Sequence, residues 1–177
     1  MAIQRLFVSK KAAFAQEAQR VLHTLTNELS IPATNVRIFE RYDIEGITPE
    51  DFEHAKHLIF SEPPVDDVFD TLPDSKGFIL AREYVPGQYD QRADSSEQCL
   101  TMLTLNMGYT VRTARLFVIE GNLTDAHKTT IETYFINPVE SHVASLDMPA
   151  SLQLKTSDPA DVEIFDGFRN YNQKELH

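Results

Sequence analysis

The hydrophobic pattern of this chain spells the same order of elements twice, and that repetition limits the available folds more than any other feature. Residues 3–8 (IQRLFV) form a compact run of strand formers, after which Phe14, Ala18, Val21, Leu22, Leu25 and Leu29 recur at helical spacing. Val36 and Ile38 alternate with polar neighbours and open a second strand that runs to about Ile44 and stops at Gly46. Thr48 and Pro49 then start a helix carrying Phe52, Ala55 and Ile59, which ends before Pro63-Pro64. Residues 78–85 restart the series as a strand; 92–105 read as a helix, 111–119 as a strand, and 124–136 as a helix ending before Pro138. A short extended piece follows each closing proline, near 65–69 and 140–146.

The halves also match in residue identity. At an offset of 78, Ala15 meets Ala93, Leu22 meets Leu100, Leu25 meets Leu103, and Arg37-Ile38-Phe39 meets Arg115-Leu116-Phe117. At an offset of 75, Ile44-Glu45-Gly46 meets Ile119-Glu120-Gly121, Phe60 meets Phe135 and Pro63 meets Pro138, which reads as three residues lost in the turn of the second copy. One such unit has too little core to be stable alone, so two should pack together. The expected fold class is therefore α+β, internally duplicated. Two β-α-β-α-(β) units, 1–74 and 77–146, carry antiparallel sheets packed as a pseudo-dimer, followed by linker from 147–177 that leads to a further domain.

Composition narrows the function. The 177 residues carry a formal net charge of −11, which argues against a surface that neutralises phosphate backbones, so nucleic acid is not an expected partner. A single cysteine cannot form an internal disulfide, which suits a reducing compartment. No signal-like segment opens the chain and no run of about 18 apolar residues occurs, so the expectation is a cytoplasmic protein without a membrane span.

Chemistry-bearing motifs are scarce. Six isolated glycines at 46, 77, 87, 108, 121 and 167 permit neither a P-loop nor a dinucleotide fingerprint. Cys99 lies one residue before Leu100 on the apolar side of its predicted helix, with no histidine nearby in sequence, and reads as a buried structural thiol rather than a nucleophile. His54 and His57, with Asp51, have the spacing of a helical metal pair but point away from the Phe52-Ala55-Ile59 stripe, which favours a solvated face. Asp66, Asp67, Asp70 and Asp74 lack the glycine and spacing of a calcium loop and read as a charged loop. His127 and His142 read as surface or packing histidines; no metal ligand set is expected. Residues 83–98 are different: they crowd amide, aromatic and charged groups between a strand end and a helix start. A Pro-Gly turn and an aspartate cap, Asp90 or Asp94, explain only a few of them. The matching loop of the first half, Ser9-Lys10-Lys11-Ala12-Ala13, is shorter and plainer, so the elaboration marks one half as the functional side.

Four stretches together, PGQYDQRADSSEQC (86–99), RYDIEGI (41–47), FSEPPVD (60–66) and INPVES (136–141), resemble the N-terminal, PurS-like domain of large single-chain phosphoribosylformylglycinamidine synthase, over residues 3–168. The family domain is similar to two copies of a small PurS-type subunit with a ferredoxin-like chain course. The resemblance implies a non-catalytic assembly and ammonia-channelling domain. Its partners are the synthetase and glutaminase domains of a parent ligase that converts formylglycinamide ribonucleotide, ATP and glutamine in purine synthesis. ATP and magnesium belong to that parent, and no cofactor is implied for these residues. By resemblance, Gln88, Asp90, Gln91, Arg92, Asp94 and Ser95 are the interface and channel candidates, as hydrogen-bonding groups facing a partner loop. The proteobacterial form of the family has a loop richer in serine and tryptophan at this place, so its channel details do not carry over. Two other classes stay open: a tandem small-molecule regulatory module binding effectors between its units, and a free-standing enzyme using Cys99.

Overall fold

The computed structural model describes residues 3–74 and 76–153. The chain runs β1 (Gln4–Lys10), α1 (Gln16–His23), β2 (Ala33–Glu45), α2 (Pro49–Leu58), β3 (Asp66–Phe69), β4 (Phe78–Tyr84), α3 (Gln91–Thr104), β5 (Thr110–Gly121), α4 (Asp125–Phe135) and β6 (Ser141–Val143). This is a mixed α+β fold, and the order matches the sequence expectation element by element.

Local chemistry sets the boundaries. The Thr48 side chain accepts from the Asp51 amide with Pro49 at the first helical position, so α2 starts where an orphan amide finds an acceptor. Thr124 and His127 form a reciprocal cap on α4, which gives His127 a structural role. Helix α1 begins later than the apolar spacing suggested: Ala12–Phe14 form a 3₁₀ turn and Phe14 is half exposed, outside the core stripe. After His23 the helix widens into a π turn, Thr24–Glu28, that buries Leu25 completely.

The two predicted sheets are one. All pairings are antiparallel and the strand order is β3-β1-β2-β5-β4-β6. The join is β2 against β5, from Ala33 opposite Gly121 to Glu45 opposite Thr110. These are the two longest strands, and edge pairing satisfies a row of backbone groups that face-to-face packing of separate sheets would leave open. The order reads the same from either edge: third, first and second strand of one half, then second, first and third of the other.

Register assigns faces, because side chains alternate along each strand. Leu6, Val8, Tyr42, Ile44 and Val111 share one face with Phe52 and Ala55 of α2 and Ala93 and Leu100 of α3. On the same face Val36, Leu80, Phe117 and Ile119 pack with Ala18 of α1 and Ile131 of α4. All four helices therefore cover one side as two groups. The other side holds Phe7, Phe39, Ala81, Ala114, Leu116 and Val118, all buried.

At an offset of 75, positions on β2 and β5 fall on the same face of the sheet. Tyr42 stacks on Phe60 with centroids 4.7 Å apart, and their counterparts Phe117 and Phe135 do the same at 4.4 Å. The Arg37-Ile38-Phe39 to Arg115-Leu116-Phe117 match is out of phase: Phe39 lies on the helix-free face and Phe117 under the helices. An even offset inverts the faces of this pair of strands, whereas an odd one preserves them. Likewise Leu25 is fully buried while Leu103 is partly exposed, so that sequence match joins unlike environments.

The tail expected as linker begins as a docked segment. Arg5 donates to the carbonyls of Leu146 and Asp147, Arg41 to that of Ser145, and Leu152 is buried with its amide bonded to Glu45. The rest of the predicted linker, 154–177, lies outside the described residues. Asp66 also departs from the charged-loop expectation: it sits buried on β3, paired with Lys10 at 2.8 Å and accepting from the Glu62 amide. His54 and His57 are exposed on α2, as expected.

Candidate functional site

One row of the sheet breaks the apolar pattern of the helix-covered face. Val8, Glu40, Arg115, Arg82 and Val143 lie side by side on β1, β2, β5, β4 and β6. Glu40 alternates with Ile38 and Tyr42, Arg115 with Phe117 and Ile119, and Arg82 with Leu80, so all three charges occupy positions where the strand pattern calls for an apolar residue. The row runs between the two helix groups, where it floors a cleft of about 520 Å³.

Ionic contacts organise this floor. Arg115 donates through Nε to Glu40 at 2.8 Å, through Nη2 to the same carboxylate, and through Nη1 to Glu17 at 2.8 Å. Arg92, descending from the first turn of α3, donates to the Tyr42 hydroxyl at 3.1 Å and lies 3.5 Å from Glu40. Burial works against the Arg92 charge, but Glu40 and Tyr42 outweigh it and its pKa is held up. Burial likewise raises the Tyr42 phenol above its ordinary value. Arg82, by contrast, makes a single long side-chain contact among the described residues, 3.4 Å to the Phe135 carbonyl.

The segment 86–99 forms the rim. Gln88 N donates to Val85 O across a turn in which Gly87 has φ +91°, so the Pro-Gly turn read from the sequence is present. Asp90 caps α3 through the Arg92 and Ala93 amides, and its second oxygen accepts from Thr113 on β5, tying the rim to the floor. Asp94 is bonded by Tyr89 at 2.9 Å and Gln98 at 2.8 Å. Of the six sequence candidates, Asp90, Gln91, Arg92 and Ser95 line the main cleft, while Gln88, together with Asp90, lines a neighbouring hollow of about 270 Å³ beneath the turn. Asp94 lines neither and acts on the rim itself. Asp90 has both oxygens engaged within the chain, whereas Gln88, Gln91 and Ser95 are exposed.

Cys99 is exposed and opens into the main cleft, which corrects the expectation of a buried thiol. Ala93, Ser96 and Leu100 form the buried stripe of α3, and one residue before Leu100 turns about 100° away from it. Glu40, Arg82 and Arg115 were not among the sequence candidates. Their signal was present in the alternation itself, as charges at apolar-phase positions of three strands, but only register shows that they form one row. Among the described residues no cluster of three or more metal-ligating side chains occurs and no helix is long and apolar enough to cross a membrane. No protein-family model, curated protein or solved structure matches the chain.

Proposed function

We propose that this chain is a PurS-like, non-catalytic assembly and ammonia-channelling domain of a phosphoribosylformylglycinamidine synthase. The observation that carries the reading is the position of residues 86–99, the longest family-like motif, at the rim of a cleft on the midline of the sheet. A gene duplication of a PurS-type unit accounts for the symmetric strand order and for the paired aromatic stacks at an offset of 75. In this reading the continuous sheet replaces the contact between two separate subunits, and the elaborated rim of the second half meets the synthetase domain. Exposed Gln88, Gln91 and Ser95 supply hydrogen bonds to that partner, while Arg92, Asp90 and Asp94 hold the rim in shape. ATP and magnesium are handled by the synthetase domain of the parent and glutamine by its glutaminase, in a reducing, cytoplasmic setting.

A growth test addresses the pathway directly. Cells whose gene lacks the codons for this chain should require a purine base in minimal medium, and restoring the codons should remove the requirement. Growth at the parental rate without purines would overturn the assignment.

A further inference from the structure

The charged row has one cation whose chemistry the fold leaves unused. Arg115 spends its donors on Glu40 and Glu17, and Arg92 is shared between Glu40 and Tyr42. Arg82 sits in the same cleft, half-buried, with no carboxylate within ion-pair distance among the described residues and one carbonyl contact at 3.4 Å. A half-buried guanidinium in a strand position of apolar phase loses hydration, and the planar fork of an arginine matches two oxygens of one anion. Ser95 and Gln91 line the same cleft without side-chain hydrogen bonds among the described residues. They provide neutral donors that charge repulsion does not disturb.

We propose that the cleft is a binding site for one small oxyanion, a carboxylate or a phosphate, held by the Arg82 guanidinium with Ser95 and Gln91 as flanking donors. The site stands apart from the purine assignment: it follows from the row Glu40–Arg115–Arg82 and the cleft above it, whatever the parent enzyme does. A cleft of about 520 Å³ admits an anion the size of glutamate or a phosphate monoester. Two charge-assisted bonds from one arginine give a modest affinity, with dissociation at about a millimolar.

The test is a titration of the 177-residue chain at constant ionic strength, with inorganic phosphate in one arm, glutamate in a second and chloride as control, following arginine Nε–H resonances. The site requires the Arg82 resonance to move and saturate with phosphate, with glutamate or with both, and the responding arm identifies which oxyanion it takes. Arg82→Gln should weaken that binding about tenfold, whereas Arg20→Gln on the exposed face of α1 should leave it unchanged. Should Arg82→Gln fail to fold, the wild-type resonances decide alone. Absence of a saturable, chloride-insensitive shift at Arg82 in both arms, or equal affinity in a folded Arg82→Gln protein, overturns the proposal.

Discussion

Replacing Asp43 by alanine should destabilise the fold by about 3–5 kcal/mol, read as a lower urea midpoint at unchanged slope. Asp43 lies on the helix-free face of β2 with a side chain 2% exposed. It accepts from Arg5 Nε at 2.5 Å and Nη2 at 2.9 Å, and Arg41 Nε lies 3.2 Å away. Arg41, opposite Ala114, also pairs with Glu83 at 3.2 Å, and His142, opposite Glu83, lies 3.2 Å from the same carboxylate. Burial already pulls the Arg41 guanidinium below its ordinary value, with Asp43 opposing that effect. Without Asp43, two buried guanidinium groups lose their common counter-charge while both still hold the carbonyls of residues 145–147. Substituting Arg5, Arg41 and Asp43 together by leucine or methionine should cost less than Asp43→Ala alone, since no buried guanidinium is left without its counter-charge and the less buried Glu83 keeps its contact to His142. A loss below about 1 kcal/mol for Asp43→Ala would place the network among exposed ion pairs and refute its buried character.

A comparable loss is expected at the seam between the halves. Gly121 ends β5 opposite Ala33 with φ +150°, and a Cβ there would meet the Pro32 carbonyl oxygen at 2.3 Å and the Ala33 Cα at 3.0 Å. Both obstacles are backbone, so relief means shifting the start of β2. Gly121→Ala should therefore cost about 3–5 kcal/mol, from the clash together with the strained conformation. Gly87 provides the internal comparison: its φ is +91°, but a Cβ there meets nothing within 4 Å. Gly87→Ala should cost only about 1–2 kcal/mol, the conformational part alone. Equal thermal shifts for the two variants would show that the β2–β5 seam is not closely packed at this point.

The elements were legible in the sequence because each carries its own signal: strand alternation at Val36 and Ile38, helical spacing with a Thr-Pro start at 48–49, and proline stops at 63 and 138. The joining of β2 to β5 was not, because edge pairing is a long-range choice that leaves no local trace; two stacked sheets and one continuous sheet need the same apolar faces. Residue matching paired like environments for Phe60 and Phe135, both on the helix-covered side, and unlike ones for Phe39 and Phe117, where identity outweighed phase. The rim of the site was legible as an excess of polar groups over what a turn and cap require. Its floor was not. Glu40, Arg82 and Arg115 look unremarkable one strand at a time, and only the register of three strands assembles them. The position of Cys99 was misjudged because adjacency to Leu100 in sequence means nearly a third of a turn on a helix.

The bridging role proposed for this domain is tested most directly by the ratio of amidine product formed to glutamine hydrolysed. That ratio should be measured in the proposed parent synthase, for the wild type against the Arg92→Ala, Asp94→Ala double variant. The first substitution frees the rim from Tyr42 and Glu40, and the second releases Tyr89 and Gln98, so the surface proposed to meet the synthetase loses its shape while the sheet stays intact. Misplacing groups along a transfer route lowers the yield of the transferred species, here by about tenfold, while glutamine hydrolysis and the circular dichroism of the domain are maintained. A ratio equal to that of the wild type would contradict the bridging role and leave residues 86–99 as a turn and a cap.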